Sequence, residues 1–160
     1  MMIYLLRHGI AENAGPKTPD ADRELTGEGR KKLESVLKVA KRAGAKPDLA
    51  ISSPLVRAVQ TAEIARQMLG VEPPVQKIDA LAPHGSPEEV WHEVSGLRNL
   101  EEVLLAGHEP SMSHLAAWIL GAPSLQVDMK KAALVSIEIG QFRGQPHGIL
   151  KWMLTPKLAE

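Results

Sequence analysis

Cysteine is missing from all 160 residues, which excludes disulfides, thiolate nucleophiles and cysteine-ligated zinc. Net charge is missing as well. The 19 basic and 19 acidic side chains cancel, so no overall field draws the chain to nucleic acid and no acidic tail addresses a basic partner. Any recognition by charge must be local. Long apolar runs are also lacking: the first, Met1 to Leu6, stops at Arg7 and His8, far short of the ~20 residues that span a bilayer. The expectation is a soluble cytoplasmic protein without membrane or nucleic-acid partners, of unspecified oligomeric state. His92, His114 and His147 show no paired metal-ligand spacing with one another, so neither metal nor cofactor is expected. Internal repeats and low-complexity tracts are absent too.

What is present is an alternation of short apolar runs with longer amphipathic stretches, in a chain that is 44% apolar. One domain over residues 1–160 has enough core at that size, whereas two would each be small. The alternation predicts an α/β fold, a three-layer sandwich with a mostly parallel central sheet, helices on both faces and an antiparallel edge. Ile3-Tyr4-Leu5-Leu6 reads as the first strand, and residues 9 to 25, rich in proline, glycine and acid, as a long loop suspected of function. Thr26 caps a helix ended by Gly44, and Asp48 to Ile51 forms a second strand. Ser53-Pro54 opens a helix that stops at Gly70. Val75 to Ile78 reads as a short strand, Ser86-Pro87-Glu88-Glu89 as a helix start, and Glu102 to Ala106 as a buried strand before a helix carrying Met112, Leu115, Ala116, Ile119 and Leu120. Ala133 to Ile139 and Ile149 to Leu154 read as an antiparallel hairpin at the sheet's edge.

In such sheets ligands bind beyond the carboxyl ends of the strands. Three of the predicted strand ends carry Arg7-His8, Arg57 and His108. Arg57 falls in the first turn of a helix, where a cation opposes the helix dipole, so a nearby anion is needed to reconcile the two. Backbone N–H groups at that helix start and the forked donors of two arginines suit a phosphate dianion.

The sequences Leu5-Leu6-Arg7-His8-Gly9, Ser52-Ser53-Pro54-Leu55-Val56-Arg57-Ala58-Val59-Gln60-Thr61-Ala62 and Gly107-His108-Glu109-Pro110 resemble the histidine phosphatase superfamily in order and spacing. A lone Arg-His-Gly is weak, but the three together are specific. Asp20, Arg23-Glu24-Leu25-Thr26 and Gly29, with the short chain, resemble the SixA-type phosphohistidine phosphatase branch. The resemblance implies a phosphoglycerate mutase-like fold in which His8 attacks phosphorus in line, becomes phosphorylated and is regenerated by water. Arg7, Arg57 and His108 would bind and stabilise the phosphoryl group. Elementary chemistry agrees: a neutral imidazole is a competent nucleophile near pH 7, and fixed donors stabilise charge on the equatorial oxygens without a metal. His8 is therefore expected neutral and His108 charged.

One departure constrains the leaving group. Many members of the superfamily use a glutamate after a leucine of the middle region to protonate an alkoxide. The matching segment here is Leu81-Ala82-Pro83-His84-Gly85, with Pro83 at that place. An imidazole can leave neutral where an alkoxide cannot. The expected substrate is thus a phosphohistidine on a phosphotransfer protein, such as a histidine-containing phosphotransfer domain. A phosphomonoesterase for a small phosphorylated metabolite, with His84 or a nearby glutamate as acid, is the alternative, and a non-catalytic phosphate-binding module ranks below both. His84 is assigned to the rim of the pocket, and Glu109 to the start of the helix that follows it.

Overall fold

The computed structural model describes residues 1–160. Six strands form one sheet: β1 (Met2–Arg7), β2 (Leu49–Ser52), β3 (Gln76–Lys77), β4 (Glu102–Gly107), β5 (Leu134–Glu138) and β6 (Ile149–Leu154). Their order is β3-β2-β4-β1-β5-β6. The first four of that order run parallel, while β5 is antiparallel to β1 and β6 to β5. The expected mixed sheet with an antiparallel edge is what the chain adopts.

The strands read as continuous apolar runs because both faces are covered. Successive side chains go to opposite sides: Ile3, Leu5, Val103 and Leu105 enter one core, and Tyr4, Leu6, Leu104 and Ala106 the other. The first core is closed by helices α3 (Pro87–Ser95) and α4 (Ser111–Ile119), through Val90, Val94, Met112 and Leu115. The second is closed by α1 (Gly27–Arg42) and α2 (Val56–Leu69), through Leu33, Val36, Leu37, Ala62 and Ala65. Fully burying such a side chain contributes about 1.5–3 kcal/mol, so the two stripes and the alternation stabilise the three layers together.

Local chemistry sets the helix ends. The Thr26 hydroxyl accepts from Gly29 N at 2.9 Å, and Ser86 and Glu89 form a reciprocal capping box. Gly70 ends α2 with φ 73°, a left-handed conformation that favours glycine. The α2 start departs from expectation. Ser53-Pro54 lies outside the helix because Ser53 Oγ accepts from Leu55 N at 3.2 Å, and the first helical residue is Val56. The expected strand 75–78 shortens to Gln76 and Lys77, with Ile78 N still donating to Ser52 O at 3.0 Å. A short C-terminal helix, α5 (Pro156–Ala159), was not foreseen. No helix is long and apolar enough to cross a membrane.

Candidate active site

Strand register assembles the site. Arg7 pairs with Gly107 across the parallel β1–β4 ladder, so the next residues, His8 and His108, emerge side by side. Their ring centroids are 5.2 Å apart. Ser52 pairs with Ala106 on the other side of β4, which brings Ser53 level with Gly107 and beside His108. His8 is clamped at both backbone groups: its N–H donates to Gly107 O at 3.0 Å, and its carbonyl accepts from Ala132 N at 3.1 Å.

The hydrogen bonds of His8 fix its tautomer. Nδ1 lies 2.7 Å from Gly9 O. A carbonyl only accepts, so Nδ1 carries the proton and the lone pair resides on Nε2. The N–H of Gly9 is held in turn by Thr61 Oγ1 at 3.1 Å, and that hydroxyl donates to Arg57 O at 2.7 Å, one turn earlier in α2. Glycine is required at position 29 for a related reason. A Cβ there would meet Ile10 O at 2.2 Å, so the first turn of α1 lies directly on the segment that carries Gly9.

Arg57 is buried and aims Nε at His8 Nε2, 3.3 Å away. Its two terminal nitrogens are held by Asp20, one on the backbone carbonyl at 2.8 Å and one on the carboxylate at 3.3 Å. This contact ties the loop between β1 and α1 to the site. Slight burial raises the Asp20 carboxyl, but Arg57 and Arg23 outweigh it and hold the group below the ordinary carboxylate range. Arg7 donates from Nη1 to Met129 O at 2.8 Å.

His108 is 2% exposed, with Nε2 2.7 Å from Ser53 Oγ. Three buried side-chain polar atoms in the chain have no partner: Arg7 Nε, His108 Nδ1 and Ser136 Oγ. Two of the three belong to this cluster. Orphaned buried polar groups are costly, and a multi-oxygen anion between the rings is the kind of ligand that offers them partners.

Burial pushes the His8 imidazole down to about 4; its bond to Gly9 resists this, and Arg57, Arg7 and Lys131 add to it. His108 is pushed down to about 3 by burial first, then by His8 and Arg57. His8 is neutral near pH 7, as expected. His108, expected charged beside a phosphoryl group, is neutral without one, because burial and the neighbouring His8 and Arg57 disfavour its cation. A dianion between the rings would raise it again.

Both histidines therefore make stability depend on pH in the same direction. Their folded values lie below the ordinary 6.5, so the unfolded chain binds more protons as pH falls from about 6.5 toward 4. Stability is complete above pH 6.5 and is lost across that window, by up to about 1.4 kcal/mol per pH unit for each ring. Urea unfolding at pH 7 and pH 5 is expected to show a marked drop in midpoint. The drop should shrink in the His8→Gln/His108→Gln variant, and an unchanged drop would contradict this origin.

The structure brings Arg7, His8, Arg57 and His108 into one cluster. His84 is exposed, makes no hydrogen bond, and lines a hollow of about 470 Å³ with Asp79, Glu88, Glu89, His92 and Glu93, a lining that includes none of those four residues. The Pro83 carbonyl accepts from Ser111 Oγ at 3.1 Å. Glu109 accepts from Ser113 N at 2.7 Å, a helix-start role. The Met129 carbonyl was not singled out from sequence, and Ser53, Thr61 and Asp20 were given no site role, entering only within the segments that carry the family resemblance. Thr61 and Ser53 carried a signal, since both lie within a turn of a candidate residue. A backbone carbonyl 122 residues from Arg7 carries none.

Comparison with known proteins shows the family and the fold. The family model of the histidine phosphatase superfamily (branch 1) matches residues 3–82. An uncharacterized protein of Picosynechococcus sp. is 34% identical over 151 residues, covering 92% of this chain and 90% of that one. Among solved structures, the protein histidine phosphatase SixA complexed with tungstate superposes with a TM-score of 0.87 at 22% identity, with both chains fully covered. SixA of Agrobacterium tumefaciens gives 0.81 at 24% identity and 97% coverage of each chain. An α-ribazole-5'-P phosphatase from Escherichia coli gives 0.74 at 19% identity, with 98% of each chain covered. With its family match spanning half the chain, and the fold it shares with SixA, this protein belongs to the histidine phosphatase superfamily.

Proposed function

We propose that this phosphatase hydrolyses the P–N bond of phosphohistidine on a cytoplasmic phosphotransfer protein, with His8 as nucleophile and no metal in the reaction. The lone pair on His8 Nε2 attacks phosphorus as the P–N bond to the substrate imidazole breaks. That imidazole takes the electron pair and departs neutral when its other nitrogen already carries a proton. Water then attacks phospho-His8, releasing inorganic phosphate and restoring neutral His8. Arg7, Arg57 and His108 stabilise the charge on the equatorial oxygens throughout. The oxyanion tungstate in the SixA complex supports a tetrahedral-anion site on this fold.

The observation that carries the choice of substrate is Pro83. No carboxylate stands at that place, and the glutamates nearest in sequence line the hollow around His84. Without a proton donor the site favours a leaving group that needs none. The second reading, a phosphomonoesterase for a small metabolite, rests on the same hollow, whose His84 and Glu88 would have to supply the acid. A binding module without turnover is disfavoured by the presence of His8 with an unprotonated Nε2.

A substrate panel at pH 7 separates these readings: a histidine-phosphorylated protein, phosphoramidate, a phosphoserine peptide and sugar phosphates. The P–N compounds are expected to have kcat/KM values at least about 10²-fold above the alkyl phosphates, the lower range of what a general acid contributes. Equal or better hydrolysis of alkyl phosphates would select the metabolite phosphatase.

A further inference from the structure

The overall charge is zero, yet one groove beside the site is strongly cationic. It measures about 660 Å³, and its charged lining is Arg7, Lys32, Lys130, Lys131, Lys157 and a single acid, Asp128. Arg7 belongs to both places, so the groove adjoins the phosphoryl site. The lysines come from three separate parts of the chain. Lys32 lies on α1, Lys130 and Lys131 follow the Met129 carbonyl that anchors Arg7, and Lys157 sits on α5, where Thr155 caps the turn. Convergence from three segments is not the ordinary solvated face of one helix.

The groove's cations are incompletely neutralised. Lys130 pairs with Asp128 at 3.0 Å and Lys32 with Glu28 at 3.2 Å, both exposed pairs of small energy. Lys131 and Lys157 have no carboxylate within 4.0 Å, because neither forms any of the chain's ion pairs. Lysine ammoniums on flexible stems are point charges suited to several mobile carboxylates, whereas tight capture of one phosphate calls for the arginine forks already present at the site. The volume is also far larger than an imidazole leaving group needs.

We propose that this groove receives acidic residues flanking the phosphohistidine of the substrate protein, so that the lysines select which phosphoprotein is dephosphorylated. The inference rests on the phosphohistidine reading above and adds the chemistry that surrounds the phosphoryl group. The hollow around His84, which shares no lining residue with the groove, is acidic, which disfavours seating the same acidic segment there by like-charge repulsion.

The test uses three synthetic peptides of equal length, phosphorylated on one histidine flanked by glutamates, alanines or lysines, and two forms of the full chain, wild type and Lys131→Ala/Lys157→Ala. At low ionic strength the wild type is expected to show a kcat/KM for the glutamate peptide about 30-fold above that for the lysine peptide, falling toward unity in 0.5 M salt. In the double variant the ratio should drop below about threefold at low salt. Because each ratio is taken within one protein, a partial loss of folded enzyme cancels. Hydrolysis of all three peptides without preference, or a preference that survives the double substitution, would overturn the groove assignment alone. An equal loss on the alanine peptide would also overturn it, since the lysines would then act on the phosphoryl group itself. Failure to hydrolyse any of the peptides while aryl phosphates are turned over would instead overturn the phosphohistidine reading, and this one with it.

Discussion

His8→Ala is expected to lower kcat by about 10⁴-fold or more, on phosphohistidine and aryl phosphates alike, while inorganic phosphate still binds. The size follows from the route. A covalent intermediate splits one difficult transfer into two easier ones, and without Nε2 water would have to attack the substrate directly in a site arranged around an imidazole. Phosphate affinity depends on Arg7, Arg57 and His108, which the substitution leaves in place. It even frees Arg57 Nε from its 3.3 Å contact with the ring. Steady-state kinetics with phosphate as a competitive inhibitor measures both quantities. A kcat within tenfold of wild type would mean that His8 is not the nucleophile.

Arg57→Ala is expected to cost about 10³-fold in kcat/KM, the upper range for one donor aimed at developing charge. Arg57→Lys should recover only a small part of that loss, because a single ammonium cannot reproduce three donors spread between His8 and Asp20. Asp20→Asn is predicted to be far milder, within about tenfold, since the backbone carbonyl of residue 20 retains one bond to the guanidinium. Asp20 is thus a positioning residue, and 60% of its side chain is exposed. Phosphate inhibition separates the two: Arg57→Ala should weaken phosphate markedly. Asp20→Asn should leave it equal or tighter, because the carboxylate competes with phosphate for the same guanidinium. If Asp20→Asn were as damaging as Arg57→Ala, the carboxylate itself would be taking part in the chemistry.

How much of this was legible beforehand depended on range. The helix stripe of Leu33, Val36 and Leu37 and the caps at Thr26 and Ser86 are written within a few residues, and they appear in the structure where periodicity places them. The α2 start was misplaced because the Ser53 hydroxyl turns the chain locally and delays the helix. The four site residues were readable because each follows an apolar run in a recognisable motif. Their meeting in space follows from β-sheet register, Arg7 opposite Gly107 and Ser52 opposite Ala106. What escaped were the contacts made at long range by ordinary groups: Met129 O on Arg7, Asp20 on Arg57, and the lysines that three distant segments bring to one groove. The neutrality of His108 without an anion is hidden from the sequence for a related reason. Burial dominates it, and burial depth is a tertiary property.

The central claim, that Nε2 of His8 carries the phosphoryl group, is tested most directly by trapping the intermediate. A single turnover with substrate labelled in the phosphoryl group, quenched in alkali within milliseconds, should leave an acid-labile, base-stable phosphate on the chain. Peptide mapping should place it on His8, and NMR should identify the Nε2 isomer, because Nδ1 is committed to the Gly9 carbonyl. Turnover without a trapped phosphoenzyme, or phosphate found on Nδ1 or on His108, would contradict the account.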